Sequence, residues 1–247
     1  MVIQKHKQDW EELGNLNPLW SILTTHREWD LNEFFLTGEK EIQAVMVRAK
    51  QLGYPRIYES ALDFGCGVGR LTRVLANYFP KCYGVDIAES MIALAKELNQ
   101  SSMGCIFCVN SEPHLQMFSD NSFDMVYTNI VLQHLPNTQI IKLYIDEFTR
   151  ILKEGGLLVF QLPSYIPFFR RWQIRKRLYR LLRIIGINEQ YIYKKLGLYP
   201  LHLSSIPSSE VVSFLNARSM RVLEVLTDNA VLPPVKSCTY YVTKESP

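Results

Sequence analysis

Residues 61–70 read ALDFGCGVGR: an apolar run carrying one aspartate, Asp63, leads straight into Gly65, Gly67 and Gly69. Glycines at such a turn let backbone approach a ligand closely. A second carboxylate, Asp86, ends the next apolar run, CYGVDI, where it can accept hydrogen bonds from both hydroxyls of a ribose. In an open α/β sheet, ligands bind beyond the carboxyl ends of the strands, which is where both features fall. A helix starting near Arg70 would aim its first amides at the same place. The spacing therefore describes a nucleoside site.

The type of nucleoside follows from charge. A nicotinamide dinucleotide calls for GxGxxG, whose third glycine packs helix on strand. Here Arg70 holds that position. A pyrophosphate would also be repelled by Asp63, whereas a cationic amino-acid end would be attracted. S-adenosylmethionine carries an ammonium and a sulfonium and no phosphate. Asp63 thus favours that methyl donor over a dinucleotide.

Methyl transfer needs in-line positioning of the acceptor and, for some acceptors, removal of a proton. In IVLQHLP, His134 is the candidate base, because imidazole titrates near neutrality. The alternative is that it only packs or hydrogen-bonds there. Asn129 and Gln133 are candidates to orient an acceptor. No Asn/Asp-Pro-Pro-Tyr/Phe motif follows the apolar run FDMVYTNIV, and no cysteine sits near the end of that run to attack a pyrimidine. Both absences disfavour a nucleic-acid base as acceptor.

The elements that must hold these residues alternate. A helix over Asn32–Gln51 ends at Gly53, and strands are expected at Ser60–Phe64, CYGVDI, CIFCVN, FDMVYTNIV and LLVFQL. Helices are expected over Arg70–Tyr78, IAESMIALAKELNQ and 138–152 between them. Near the end, a helix over Ser208–Asn216 precedes RVLEVLT and CTYYVTK, joined by the Pro233–Pro234 loop. Alternation of this kind implies a parallel sheet with helices on both faces. The last two strands have too short a link for a helix and should pair antiparallel.

The chain resembles the class I S-adenosylmethionine-dependent methyltransferases over roughly residues 58–163 and again over the last strand pair. ALDFGCGVGRLT, YGVDIAESMI, SFDMVYTNIVLQHL and RILKEGGLLVFQLPS look like their first, second, fourth-strand and fifth-strand motifs, in order. The resemblance implies a Rossmann-like α/β fold: a seven-stranded, mostly parallel sheet whose last strand is antiparallel. It also implies roles. Asp63, Gly65, Cys66, Gly67, Gly69 and Arg70 would surround the methionine part of the cofactor, Asp86 the ribose and Ile87 the adenine face. After the third strand Glu112 is the expected adenine partner, with Asn110 or Ser111 replacing it if the match slips. Asn129 would complete the site. S-adenosylhomocysteine would be the product, and no metal is expected.

Composition sets the remaining bounds. With 247 residues, 47% hydrophobic and 21% charged, a single domain with additions is expected. It divides into an N-terminal helical cap (1–57), a cofactor-binding core (58–163), a basic insertion (164–205) and a C-terminal helix and hairpin (206–247). No leader or spanning segment is apparent, and five scattered cysteines suit a reducing compartment, so a cytoplasmic enzyme is expected. Cys105 and Cys108 form a lone CxxC read as structural thiols.

Specificity should reside in the additions. QDWEELGNLNPLWSILT resembles the start of bacterial small-molecule methyltransferases, and Trp10, Trp20, His26 and Trp29 could cap the cofactor and meet the acceptor, or merely pack on the sheet edge. Residues 165–199 carry nine basic side chains and one acid, a net +8 against −5 for the rest. Ile174, Leu178, Leu181 and Ile185 form one stripe, expected to dock on the body while the Arg/Lys face meets solvent. Four roles compete: a lid, an anion-binding face, a membrane-surface helix exposing Trp172, or an RNA contact. The expected function is methyl transfer to a small molecule, with oxygen the favoured atom. A small-molecule nitrogen, a macromolecule or a lipid-linked substrate is the alternative.

Overall fold

A computed structural model describes residues 2–228 and 234–245, without the side chains of Arg170 and Arg171. Pro233 of the expected terminal loop lies outside the described residues. Three helices come first: α1 (Val2–Leu16), α2 (Pro18–Ile22) and α3 (Leu31–Leu52). Asp30 caps α3 by accepting from the amides of Asn32 and Glu33, and Gly53 ends it at φ +77°. The α/β series follows as β1 (Ser60–Phe64), α4 (Thr72–Leu75), β2 (Lys81–Asp86), α5 (Glu89–Leu98), β3 (Cys105–Val109), β4 (Phe123–Thr128), α6 (Thr138–Ile151) and β5 (Leu152–Tyr165). The insertion forms α7 (Phe168–Arg171), α8 (Ile174–Ile184) and α9 (Glu189–Tyr191), the last running into a π-helical turn over Ile192–Leu196. The chain closes with α10 (Ser208–Asn216), β6 (Met220–Asp228) and β7 (Lys236–Lys244).

The sheet order is β3-β2-β1-β4-β5-β7-β6. Strands β1 to β5 pair in parallel, and β7 runs antiparallel to both β5 and β6. This is the architecture expected from the motif order. Every residue of β1 and β4 is buried, as expected of central parallel strands covered on both faces. One face packs Leu62, Val126, Leu158 and Phe160 against α6 and α10; the other packs Ala61, Met125 and Val159 against α3 and α4.

Two expectations need correction. The helix expected over Arg70–Tyr78 shrinks to four residues, because turns occupy both flanks, so amides of a long helix do not point at the glycines. The insertion is also seated the other way round. Ile174, Leu178, Leu181 and Ile185 are exposed, while Tyr179 is buried. The basic face meets the acidic side of α1, where Arg180 pairs with Asp9 at 3.5 Å and Arg183 with Glu12 at 3.1 Å; Arg183 also pairs with Glu189 of α9 at 2.6 Å. Partner charges, which an amphipathic pattern cannot reveal, decide which face turns inward.

Gly38, in the middle of α3, lets that helix rest on the main chain after the glycine turn. A Cβ there would stand 2.6 Å from the carbonyl oxygen of Arg70. Alanine normally stabilises an exposed mid-helix glycine site by about 1 kcal/mol. At this site the overlap should win: Gly38→Ala is expected to lower stability by about 1–2 kcal/mol in denaturant titration.

Candidate active site

Beyond β1 the chain turns through Gly65, Gly67 and Gly69, at φ +76°, +52° and +80°. Added side chains would collide, since a Cβ on Gly65 would lie 2.3 Å from Val131 and one on Gly67 2.5 Å from Ile22 of α2. The turn is therefore roofed by protein on both sides. Beside it opens a cavity lined by Phe64, Gly65, Cys66, Gly67 and Arg70, and by Asp86, Ile87, Asn110, Asn129 and Tyr144. Its roof comes from the N-terminal helices through His6, Trp10, Ser21 and Ile22.

Asp86 organises this cavity. One carboxylate oxygen accepts from the Gly67 amide and the other from the Ala88 amide, each at 2.9 Å. Burial raises its pKa, and these backbone donors offset part of the rise. It does not cap α5; the carboxylate of Glu11 on α1 does, by accepting from the amides of Glu89 and Ser90. Each Asp86 oxygen thus keeps acceptor capacity for a ligand hydroxyl. Asn110 lies next to it, with its amide on the Asp86 carbonyl at 2.9 Å.

The floor is tied to α3 through a residue that sequence reading passed over. Glu41 accepts from Tyr127 Oη at 2.8 Å and Asn129 Nδ2 at 2.7 Å on one oxygen, and pairs with Arg70 at 2.8 Å on the other. Thr37 also accepts from Arg70, at 3.2 Å. Arg70, the one Arg or Lys in the cavity wall among the described residues, is therefore already neutralised.

These observations test the fit of a cofactor. The wall offers the Asp86 carboxyl group, apolar faces at Ile87, Met91, Val85 and Leu135, and, among the described residues, no free Arg or Lys to meet a phosphate. Such a donor set suits a phosphate-free, positively charged nucleoside. It suits S-adenosylmethionine. No group of three or more His, Cys, Asp and Glu side chains among the described residues is placed to hold a metal ion.

Several residues expected at the site are elsewhere. Asp63 does not line the cavity; its buried carboxyl accepts from the Thr72 hydroxyl at 2.6 Å, and burial pushes its pKa up to about 7. Gly69 packs toward Asn99 and Phe107. Glu112 is exposed and contributes only its carbonyl, which accepts from Tyr144 Oη at 2.7 Å, while Ser111 meets Lys7 at 3.4 Å. Asn110 takes the place in the wall, as the slipped match allowed. Trp20 is buried edge-on between Tyr193 and Tyr199, and exposed His26 packs on Trp29.

His134 is not in the wall either. Its Nδ1 is 2.7 Å from the His202 carbonyl, so Nδ1 carries the proton. Nε2 then accepts from Gln133 Nε2 at 3.1 Å. Both ring nitrogens are occupied, and burial drops the pKa to about 4. Gln133 is itself held by Gln161 at 3.2 Å. Gln161 also accepts the amide of Ile130, which lines the cavity at φ +60°, a conformation rare for a β-branched residue. The expected base and its neighbour thus form a structural clip under the strand-end turn.

A second imidazole does reach the cavity. His6 lines it and also lines an adjoining, more open cavity with Lys5, Trp172, Lys176, Arg177, Arg180 and His202. Burial, reinforced by His134, Lys176 and His202, lowers the His6 pKa to about 3. Burial, then Arg180, lowers Lys176 to about 8. Asp9 is the one acid in that wall among the described residues, and it is already shared by Arg180 and Lys5. The second cavity has surplus positive charge.

Comparison with known proteins matches this geometry. Residues 62–160 match the methyltransferase domain family. A 2-methyl-6-phytyl-1,4-hydroquinone methyltransferase from Synechocystis is 33% identical over 101 residues, 40% of this chain and 30% of that protein. A trans-aconitate 2-methyltransferase from Variovorax paradoxus is 34% identical over 106 residues, 42% of this chain and 38% of that protein. The chain thus spans well under half the length of these curated relatives. The solved magnesium protoporphyrin IX methyltransferase of Synechocystis, with bound S-adenosylhomocysteine, superposes at a TM-score of 0.63 and 13% identity. That match covers 97% of this chain and 98% of the other, and shows the shared fold.

The histidine cluster makes acid stability a direct readout. His6, His134 and His202 are shifted below the ordinary 6.5, to about 3, 4 and 4, first by burial. Below pH 6.5 the unfolded chain takes up protons that the native one refuses, so their contribution is lost as pH falls from about 6.5 to 4. Asp63 acts oppositely, losing its contribution as pH rises from about 4 to 7. A difference experiment separates them: His202→Gln should gain on wild type by up to about 1.4 kcal/mol per pH unit over that fall. Parallel stability profiles would contradict the shift. Glu41→Ala, which strands the buried Arg70, is expected to cost about 2–4 kcal/mol in denaturant titration.

Proposed function

We propose that this chain, whose residues 62–160 match the methyltransferase domain family and whose fold is shared with a solved methyltransferase, transfers a methyl group from S-adenosylmethionine to an oxygen of a small anionic acceptor. The observation that carries the acceptor half is the cation-rich cavity that meets the cofactor cavity at His6. Lys176 is held there against burial and against Arg180, without a carboxylate of its own among the described residues. An acceptor anion would relieve that cost.

The residues divide the work. Asp86 would hold the ribose hydroxyls, Ile87 would pack on the adenine, and the backbone of Gly65 to Gly67 would face the amino-acid part. Asn129, fixed by Glu41, orients a polar group at the wall shared with Ile130. Trp10 and Ile22 close the roof and exclude water. Bound S-adenosylmethionine supplies an electrophilic methyl on a good leaving group. Lys176, on the inner side of α8, would anchor the acceptor's charge, and Trp172 would cover its apolar part.

Proton removal fits the same picture. His134 is tied at both nitrogens, and His6 is a weak base at a pKa of about 3. An acceptor that arrives already ionised needs neither. This reading favours an anionic oxygen over a neutral hydroxyl or an amine.

Calorimetry should show binding of S-adenosylmethionine and S-adenosylhomocysteine but not NAD. Asp86→Ala is expected to weaken the first two by about 1–3 kcal/mol. Tighter NAD binding would sink the cofactor assignment. For the acceptor, labelled methyl donor can be offered to panels of small carboxylates, phosphates, neutral alcohols and amines. Label should enter anionic acceptors, as alkali-labile methyl esters on carboxylates or alkali-stable methyl phosphates on phosphates, and Lys176→Met should raise KM about tenfold or more with cofactor affinity unchanged. His134→Gln should retain near-normal kcat at neutral pH. Label found only in amines or neutral alcohols would overturn the anionic-oxygen reading.

A further inference from the structure

Helix α8 turns its apolar row outward. Ile174, Leu178, Leu181 and Ile185 recur at i, i+4, i+7 and i+11, and they are 64%, 43%, 55% and 64% exposed. Ile184 adds to the row, and Phe168, Phe169 and Trp172 stand exposed just before it. Contiguous apolar patches of this kind are rare on soluble monomers and mark interaction surfaces. The orientation is not loose. Arg180 and Arg183 fasten the opposite face to α1, and Tyr179 is buried against Ile192 and Leu198.

The flanks say what covers the row. Arg175 and Arg177 fall on opposite sides of it, and each belongs to a basic cavity. Arg177 stands with Lys5, Lys176 and Arg180. Arg175 stands with Arg27 and Lys195, over the aromatic rings of Trp20, Tyr193 and Tyr199 and without a carboxylate in the wall. Arg27, Arg175, Arg177, Lys194 and Lys195 hold no ion pair among the described residues. An apolar strip between two positive margins complements a surface with an apolar interior and an anionic skin.

We infer that the exposed face of α7 and α8 docks on an anionic lipid bilayer. Its isoleucines and leucines enter the headgroup–acyl boundary, and Arg175, Arg177 and Lys195 meet lipid phosphates on either side. No helix among the described residues is long and apolar enough to cross a membrane, so the contact is peripheral. A second copy of the chain is a poorer occupant, because a two-fold contact through this row would bring the arginine margins of both copies together. A nucleic acid would leave the apolar row facing phosphate.

Co-sedimentation with vesicles tests the inference on the full chain. The protein should bind vesicles containing phosphatidylglycerol, ignore pure phosphatidylcholine, and be released at about 0.5 M salt, where screening is short-ranged. Leu181→Gln with Ile184→Gln should reduce partitioning about tenfold or more. Arg175→Glu with Lys195→Glu should reduce it about twentyfold or more, at about fivefold or more per basic side chain lost. Thermal melts verify that each variant is folded; if a pair melts early, the single exposed change Arg175→Gln replaces it. Absence of binding to anionic vesicles, or equal binding to neutral ones, overturns the inference. So does a dimer in sedimentation that Leu181→Gln with Ile184→Gln dissolves, which would assign the row to a second copy. Calorimetry with S-adenosylhomocysteine on the same samples reports separately on the methyl-transfer reading.

Discussion

Arg70 buries a guanidinium in the floor of the cavity beside the glycine turn, 3% exposed, and such a charge must be answered from within the protein. Glu41 answers it, and much of the site follows from where that carboxylate has to stand. To bring it there, α3 must lie against the chain leaving the glycine turn, which the missing side chain of Gly38 permits. Once there, the same carboxylate collects Tyr127 from β4 and Asn129 beyond its end. One ion pair thus joins three segments far apart in sequence and fixes the polar edge of the cavity. It also keeps the guanidinium from acting as a phosphate receptor.

The sheet was legible in the sequence because its signals are local. Apolar runs, the glycine turn and Asp86 each announce themselves within a few residues, and their order determines the strand sequence. The site was legible only where a residue's job is done by its own segment. Asp63 shares β1 with the glycine turn, yet its carboxyl is claimed by Thr72, nine residues on. Glu41 sits in the run GEKE, which reads as an ordinary solvated helix face, and its partners lie 29, 86 and 88 residues away. His6 gives no sign at all in QKHKQDW. Its place depends on α1 packing over the sheet's end, anchored by Glu11 on the start of α5.

The same limit explains the histidines. A histidine just past the fourth strand invites a catalytic reading, because position alone puts it near the cofactor. Tautomer and partners decide otherwise. With one nitrogen donating to the His202 carbonyl and the other accepting from Gln133, the ring joins the insertion to the turn after β4. Trp10 then packs edge-on against that ring at 5.7 Å and presents itself to the cavity. The imidazole serves the site by holding up its wall.

Helix α8 separates two tasks that a surface helix usually combines. Its seating depends on Arg180, Arg183 and Tyr179, whereas its outer row contributes little to holding it in place. Substitutions along Ile174, Leu178, Leu181, Ile184 and Ile185 are therefore nearly free of folding cost. That row can be exchanged for another, polar or apolar, while α1, the seating of α8 and the cavity wall stay unchanged.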